Sequence, residues 1–279
     1  MKLVMTLLVR DEADIIRENI LYHLNRGVDF IVATDNLSVD GTLDVLMDFQ
    51  SRGLLYVIRE TDDNYAQARW VTRMARLACT EFAADWVINS DADEFWWPPA
   101  GNLKDMLASV PPEIGSIAAW RGDFLPRPES EGSVFERMIY RETRSTNSLG
   151  QPLPPKVMHR AMADVEVGQG NHFLVAPRGV NTAGVQGLGI LHFPMRSYGQ
   201  FSNKIEKGGA AYARNTELPA SMGATWRKLY ADQQDGRLTA YYESKLLAHE
   251  DIERGIGEGR FVIDTRLRDF LRQQAAASP

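Results

Sequence analysis

The chain has a single cysteine, Cys79. No intramolecular disulfide can form, so the fold must rest on its core, and a reducing compartment is expected. Cys79 sits in a helical pattern and reads as a small buried hydrophobe rather than a nucleophile. No apolar run approaches the length of a membrane span. An excess of positive charge is also missing, since the net charge is −6 and the isoelectric point about 5.5. That argues against nucleic acid as the main partner, though it leaves room for a local basic groove. There are no internal repeats and no long low-complexity segment. The N-terminal run Met1 to Val9 has the look of a signal sequence, but Arg10-Asp11-Glu12 stops it and no small-residue cleavage site follows. It reads as a first buried strand.

What is present is ordinary for a globular protein. The chain has 279 residues, 44% hydrophobic and 24% charged, enough for one large domain with or without a C-terminal extension. Strand patterns at Lys2–Val9, Phe30–Thr34, Leu54–Ile58 and Asp85–Ile88 alternate with helical ones. The helices are marked by Ile15, Ile16, Ile20, Leu21 and Leu24, by Leu43, Leu46, Met47 and Phe49, and by a long stretch from Asn64 to Phe82. Such alternation with short loops predicts an α/β fold: a mostly parallel sheet with right-handed crossovers, flanked by helices. Ligands then bind at the carboxyl ends of the strands. Asp11-Glu12, Asp35 to Asp40, Asp62-Asp63 and Asp91 to Glu94 all follow strands directly, so the pattern gathers them on one rim.

The sharpest of these groups is Asp91-Ala92-Asp93-Glu94, three carboxylates within four residues at a strand end. Crowded acids repel one another and persist where something positive sits between them, most often a divalent cation held by oxygen ligands. The competing reading is a solvated acidic turn that caps the next helix.

After Pro98-Pro99 the pattern changes. Ile114–Trp120 and Val134–Tyr140 read as strands, separated by a Pro/Gly/charge loop. Short strands follow at Lys156–Ala161, Asp164–Val167, Phe173–Ala176 and Gly187–Phe193. The rest reads as helical: Ser197–Arg214, Ser221–Ala231, Leu238–His249 and Thr265–Gln274. No linker is clear enough to split the chain into separate domains.

Four segments in order resemble the family-2 glycosyltransferases of the GT-A fold, and in particular a bacterial branch with a D-A-D-E-F core. They are Val9-Arg10-Asp11-Glu12, the loop Thr34 to Thr42 (similar to D-x-S-x-D-G-T), Asn64 to Trp70 (similar to G-x-x-x-A-R-N, with Asn64 and Trp70 departing from it), and Asp91-Ala92-Asp93. The resemblance implies a GT-A-type, Rossmann-like domain over residues 1–215, with a nucleotide-binding half 1–97, an acceptor half 98–215 and a helical C-terminal extension 216–279. It implies a metal-dependent, hexosyltransferase-like enzyme of bacterial polysaccharide biosynthesis. The enzyme would move a sugar from a nucleotide-sugar donor, UDP-linked first among them, to a carbohydrate or glycan acceptor, soluble or at a membrane surface, from the cytoplasm.

Glu12, Asp35, Arg69 and Asp91 would meet the nucleotide sugar, Asp35 through its base or ribose. Asp91 and Asp93 would hold Mn2+ or Mg2+, with His192 completing the site and Glu94 supporting it; the ion would assist loss of the nucleoside diphosphate. Asp40 and Thr42 would shape the loop. Arg196, Lys204 and Lys207 could meet phosphates, and Trp96-Trp97 could stack on a sugar. An inverting transferase also needs a base for the acceptor hydroxyl. No acid occurs between Glu166 and Glu206, where the family usually carries one. His172 and Glu166 rank first for that role, ahead of Asp164 and Asp123. A retaining outcome stays open. The competing functions are a non-catalytic nucleotide- or carbohydrate-binding module and an Asp-x-Asp phosphotransferase.

Overall fold

The computed structural model describes residues 1–216, 218, 219 and 222–277. The elements run β1 Leu3–Val9, α1 Ile16–Asn25, β2 Phe30–Asn36, α2 Thr42–Ser51, β3 Leu55–Glu60, α3 Gln67–Thr80, β4 Trp86–Asp91, β5 Glu94–Trp97, α4 Leu103–Ala108 and β6 Ser116–Asp123. They continue with α5 Val134–Arg137, β7 Tyr140–Glu142, β8 Lys156–Arg160, β9 Glu166–Val167, β10 Leu174–Ala176 and β11 Thr182–His192. The last third holds α6 Tyr198–Arg214, α7 Ala224–Gln234, α8 Leu238–Glu243, α9 His249–Gly257, β12 Phe261–Ile263 and α10 Arg266–Ala277. The chain forms two compact units: Met1–Arg121 with Pro154–Ile190, and Gly122–Leu153 with Leu191–Pro279.

The first unit is built on an eight-stranded sheet of order β3-β2-β1-β4-β8-β6-β11-β5. The strands β1 to β4 are mutually parallel. β1, β2 and β4 open on apolar runs buried on both faces, while the edge strand β3 is half exposed, with Tyr56 facing out. The α/β class read from periodicity is thus the class observed. On one face α3 lays Val71, Met74, Ala75 and Ala78 against Val4, Val32 and Val87. Its apolar positions recur at three- and four-residue spacing, which gives that helix a single buried stripe. The strand β8 runs antiparallel to β4, with Trp86 opposite Arg160 and Ile88 opposite Met158. It also runs antiparallel to β6.

The second unit is mostly helical, with β7 and β12 paired antiparallel. Ser197 caps α6 by accepting from the Gln200 N–H at 3.1 Å. Gly208 and Gly209 let α6 meet α7 closely, because a Cβ there would stand 2.5 Å from Trp226 and 2.4 Å from Tyr230. Met195, Phe201, Ile205, Leu229, Leu238 and Tyr242 form its core.

Two element assignments change. Val134–Tyr140, expected as one strand, is the short helix α5 followed by β7. The apolar content there misleads because Arg137 turns inward, giving its guanidinium to the carbonyls of Gly132 at 2.7 Å and Arg127 at 3.2 Å. Leu238–His249, expected as one helix, breaks after Glu243, and α9 starts at His249. The expected start of the preceding helix at Ser221 lies outside the described residues, and α7 opens at Ala224.

Candidate active site at the carboxyl rim of the first unit

Because β1, β2 and β4 are parallel, the loops after them leave from one edge. Register fixes their levels: Leu8 lies opposite both Thr34 and Asp91, and Val9 opposite Asp35. Asp35 and Asp91 therefore flank β1, two strand spacings or about 10 Å apart.

The loops after β1 and β2 are stitched together. The Asp11 carboxylate accepts the Val39 N–H at 2.7 Å, and the Asp11 N–H donates to Ser38 Oγ at 3.0 Å. Asp11 holds a positive φ of 54°, which Asp tolerates better than most residues. Thr42 Oγ1 donates to Asp40 at 2.6 Å and accepts the Glu12 N–H at 2.8 Å. Asp40 and Thr42 thus shape the loop, while Glu12 is buried beside them. The N-cap position of α1 is Ile15.

Asp35 is the exposed end of nothing: it is 4% accessible, and its Oδ1 has no hydrogen-bond partner. Its Oδ2 accepts a long bond from the Ser38 N–H at 3.4 Å. Burial raises its pKa above the ordinary carboxylate value, against the bonds from Ser38 and the charge of Arg59, its register partner on β3. Arg69 lies on α3 at the surface, in an ion pair with Asp62 at 2.8 Å.

The acidic turn between β4 and β5 is pinned from α1. The buried Asn19 amide donates to the carbonyls of Ala92 at 2.9 Å and Glu94 at 2.8 Å. Tyr22 donates to the Trp96 carbonyl at 2.9 Å, and His23 Nε2 accepts the Trp96 N–H at 3.3 Å. Trp96 is wholly buried, so it packs rather than presenting a face to a sugar. Trp97 lies under the Arg26 guanidinium, 4.5 Å from its ring centre.

The side chain that sequence reading missed is Lys156, the first residue of β8. It is 1% exposed. Because β8 runs against β4, its beginning meets the end of β4. Its Nζ lies 2.5 Å from Asp91 Oδ2 and 3.1 Å from Glu94 Oε1. Arg121 adds a second cation, 3.4 Å from the same Glu94 oxygen. The other Asp91 oxygen accepts from the Asn171 amide at 3.2 Å and, weakly, the Gln67 amide at 3.5 Å. Gln67 also accepts the Gly170 N–H at 3.1 Å, tying α3 to the segment after β9. A lysine opening an apolar strand was the available signal.

This donor set does not fit a divalent ion on Asp91. Both its oxygens already face donors of positive charge or positive dipole, and a dication there would stand beside an ammonium. Among the described residues, no three His, Cys, Asp or Glu side chains group as metal ligands would. Asp93 is buried in the turn. His192 belongs to the second unit, where its Nδ1 bonds to Asp123 Oδ1 at 2.7 Å. Arg196 is buried in that unit and donates to the Phe193 carbonyl at 3.1 Å; Lys204 and Lys207 lie on α6.

The two expected proton acceptors part company. His172, half-buried, donates Nδ1–H to the Pro155 carbonyl at 2.9 Å, which leaves the Nε2 lone pair as its acceptor. Burial first, then the charges of Lys156 and Arg121, lower its pKa to about 4, so it is neutral at pH 7. Glu166 is exposed on β9, paired with Arg76 at 3.5 Å.

No protein-family model matches the chain, and no curated protein does. Solved structures do. The chain is similar to S. aureus TarS 1-349 in complex with UDP, at 12% identity and a TM-score of 0.46, covering 90% of this chain and 77% of that one. It is similar to the mannosyltransferase PcManGT from Pyrobaculum calidifontis in complex with GDP-Man and Mn2+, at 15% identity and 0.43, covering 98% and 84%. A third is glucosyl-3-phosphoglycerate synthase from Mycobacterium tuberculosis with Mn2+, UDP and phosphoglyceric acid, at 17% identity and 0.32, covering 43% of each chain. At these identities and TM-scores, the likenesses assign no chemistry to this chain. No described helix is long and apolar enough to cross a membrane.

Proposed function

We propose that the protein is a glycosyltransferase whose first unit binds a nucleotide-sugar donor, a UDP-sugar in the first instance, at the carboxyl rim of β1, β2 and β4. The observation that carries this is Asp35. A buried carboxylate with one oxygen lacking any donor is costly to keep, by about 1–3 kcal/mol. A base N–H or ribose hydroxyl is the kind of donor it lacks. The four sequence segments in glycosyltransferase order support the same reading, since β1, β2 and β4 bring three of them to this rim.

In this reading Asp91, about 10 Å across β1 from Asp35, faces the ribose or diphosphate side of the donor. Glu12 supports the loop that receives the nucleotide, and Arg69 answers phosphate charge from the start of α3. His172 takes the proton from the acceptor hydroxyl. It is the better of the two acceptors because it is neutral, held in one tautomer, and close enough to Lys156 and Asp91 for their charges to act on it. Glu166 would serve the fold through Arg76 instead. The acceptor is a carbohydrate hydroxyl. The chemistry so drawn has no step through a divalent ion on Asp91.

Isothermal titration with UDP, GDP and their sugars tests the donor site. Asp35→Asn should weaken the binding of the preferred nucleotide by about 10- to 100-fold, the worth of one hydrogen bond to a charged group. If no nucleotide binds the wild-type protein, or if Asp35→Asn binds equally well, the proposal fails.

A further inference from the structure

The acids at the end of β4 need a positive partner, and the geometry points to one inside the chain: we infer that the Lys156 ammonium is the resident cation of the Asp91–Glu94 turn, making Asp91 an anchored hydrogen-bond acceptor rather than a metal ligand. Four observations converge. Lys156 is 1% exposed, and lysine is almost never so buried without a fixed partner. Its ammonium contacts two carboxylates, at 2.5 Å and 3.1 Å. With Arg121 on Glu94, the two negative charges of Asp91 and Glu94 meet two positive ones. Finally, the second oxygen of Asp91 is met by the amides of Asn171 and Gln67, both of which donate. A dication on Asp91 would have to displace that ammonium or stand beside it against like-charge repulsion.

The arrangement gives Lys156 a positioning role. It fixes the Asp91 carboxylate at the rim. Of the pair, Asp91 is the accessible member, at 30%, against 0% for Glu94. A ligand reaching this rim therefore meets Asp91, with Lys156 behind it.

The test uses Mn2+ alone, with no nucleotide present, so its outcome is independent of the glycosyltransferase reading. Electron paramagnetic resonance titration of Mn2+ into the full chain compares wild type with Asp91→Asn. Equal Mn2+ binding by the two proteins, or none by either, is the expected result. Loss of a wild-type Mn2+ site in Asp91→Asn overturns the inference. A second measurement needs no folded variant: the lysine side-chain resonances of wild type, labelled with 13C, are followed as diamagnetic Mg2+ is added. The Lys156 signal should keep its chemical shift at one equivalent. A saturable shift of the Lys156 signal, as its ammonium gives up Asp91 to the ion, overturns the inference.

Discussion

Replacing Lys156 by methionine keeps an unbranched side chain, one atom shorter, and removes its charge. The Glu94 carboxylate, fully buried, would keep Arg121 at 3.4 Å and lose the ammonium at 3.1 Å. Asp91 would lose its partner at 2.5 Å. At an effective dielectric constant near 20, each contact of about 3 Å is worth roughly 5 kcal/mol before desolvation. Burying the ammonium offsets several kcal/mol of that, and breaking one partner of a buried pair typically costs about 3–5 kcal/mol. We therefore expect Lys156→Met to lower stability by about 3–5 kcal/mol in urea, with a midpoint shift of roughly 1 M or more. Adding Glu94→Gln to Lys156→Met should return part of the loss, since the stranded charge goes. A cost below about 1 kcal/mol, or a double variant worse than the sum of the singles, would refute the reasoning.

Four further outcomes follow from the same structure. His23 and His159 are wholly buried, and burial lowers each pKa from 6.5 to about 4. The unfolded chain binds protons first, so their contribution is complete above pH 6.5 and is lost as pH falls towards 4, by about 3 kcal/mol each; urea titrations across that window would measure it, and a flat profile would contradict it. For Asp35 the sign is opposite: its raised pKa makes the ionised form a cost that grows as pH rises through the folded value. Asp35→Asn should therefore raise the melting temperature of the ligand-free protein at pH 7 while weakening nucleotide binding. His172→Gln should lower kcat/KM about 100-fold or more with donor affinity unchanged, the usual worth of a general base. Gly170→Ala should disturb the same residue, since Gly170 has φ 78° and an added Cβ would lie 2.4 Å from His172 Nε2; a wild-type melting curve would count against that packing.

The parallel half was legible in the sequence because its signals are local. Each strand is an apolar run, each helix has its own stripe, and every acidic group directly follows a strand. Parallel pairing alone then carries Asp11, Asp35 and Asp91 to one rim. What the sequence hid depends on pairing at a distance. Lys156 reaches Asp91 only because β8 runs back along β4, 65 residues later in the chain. Asn19, Tyr22 and His23 stand outside the apolar spacing that marks α1, yet their polar atoms hold β5 in place. At Val134–Tyr140, an apolar run read as a strand lost to the carbonyls that Arg137 satisfies.

The separation of Asp91 from Lys156 also bears on how the protein is made. During synthesis, β1 to β4 can assemble as soon as residue 91 has left the ribosome, because all their partners are already present. Their acidic edge would then have no lysine. The 65 residues that bring it need about 3–13 s at ordinary elongation rates, and the intervening stretch 122–153 belongs to the other unit. Until Arg121 and then Lys156 follow, the nascent sheet carries excess carboxylate charge on its open β4 edge. Charge of one sign on an unpaired strand discourages pairing with other chains. The same acids that await their counter-ion thus guard the edge until β8 arrives to cover it.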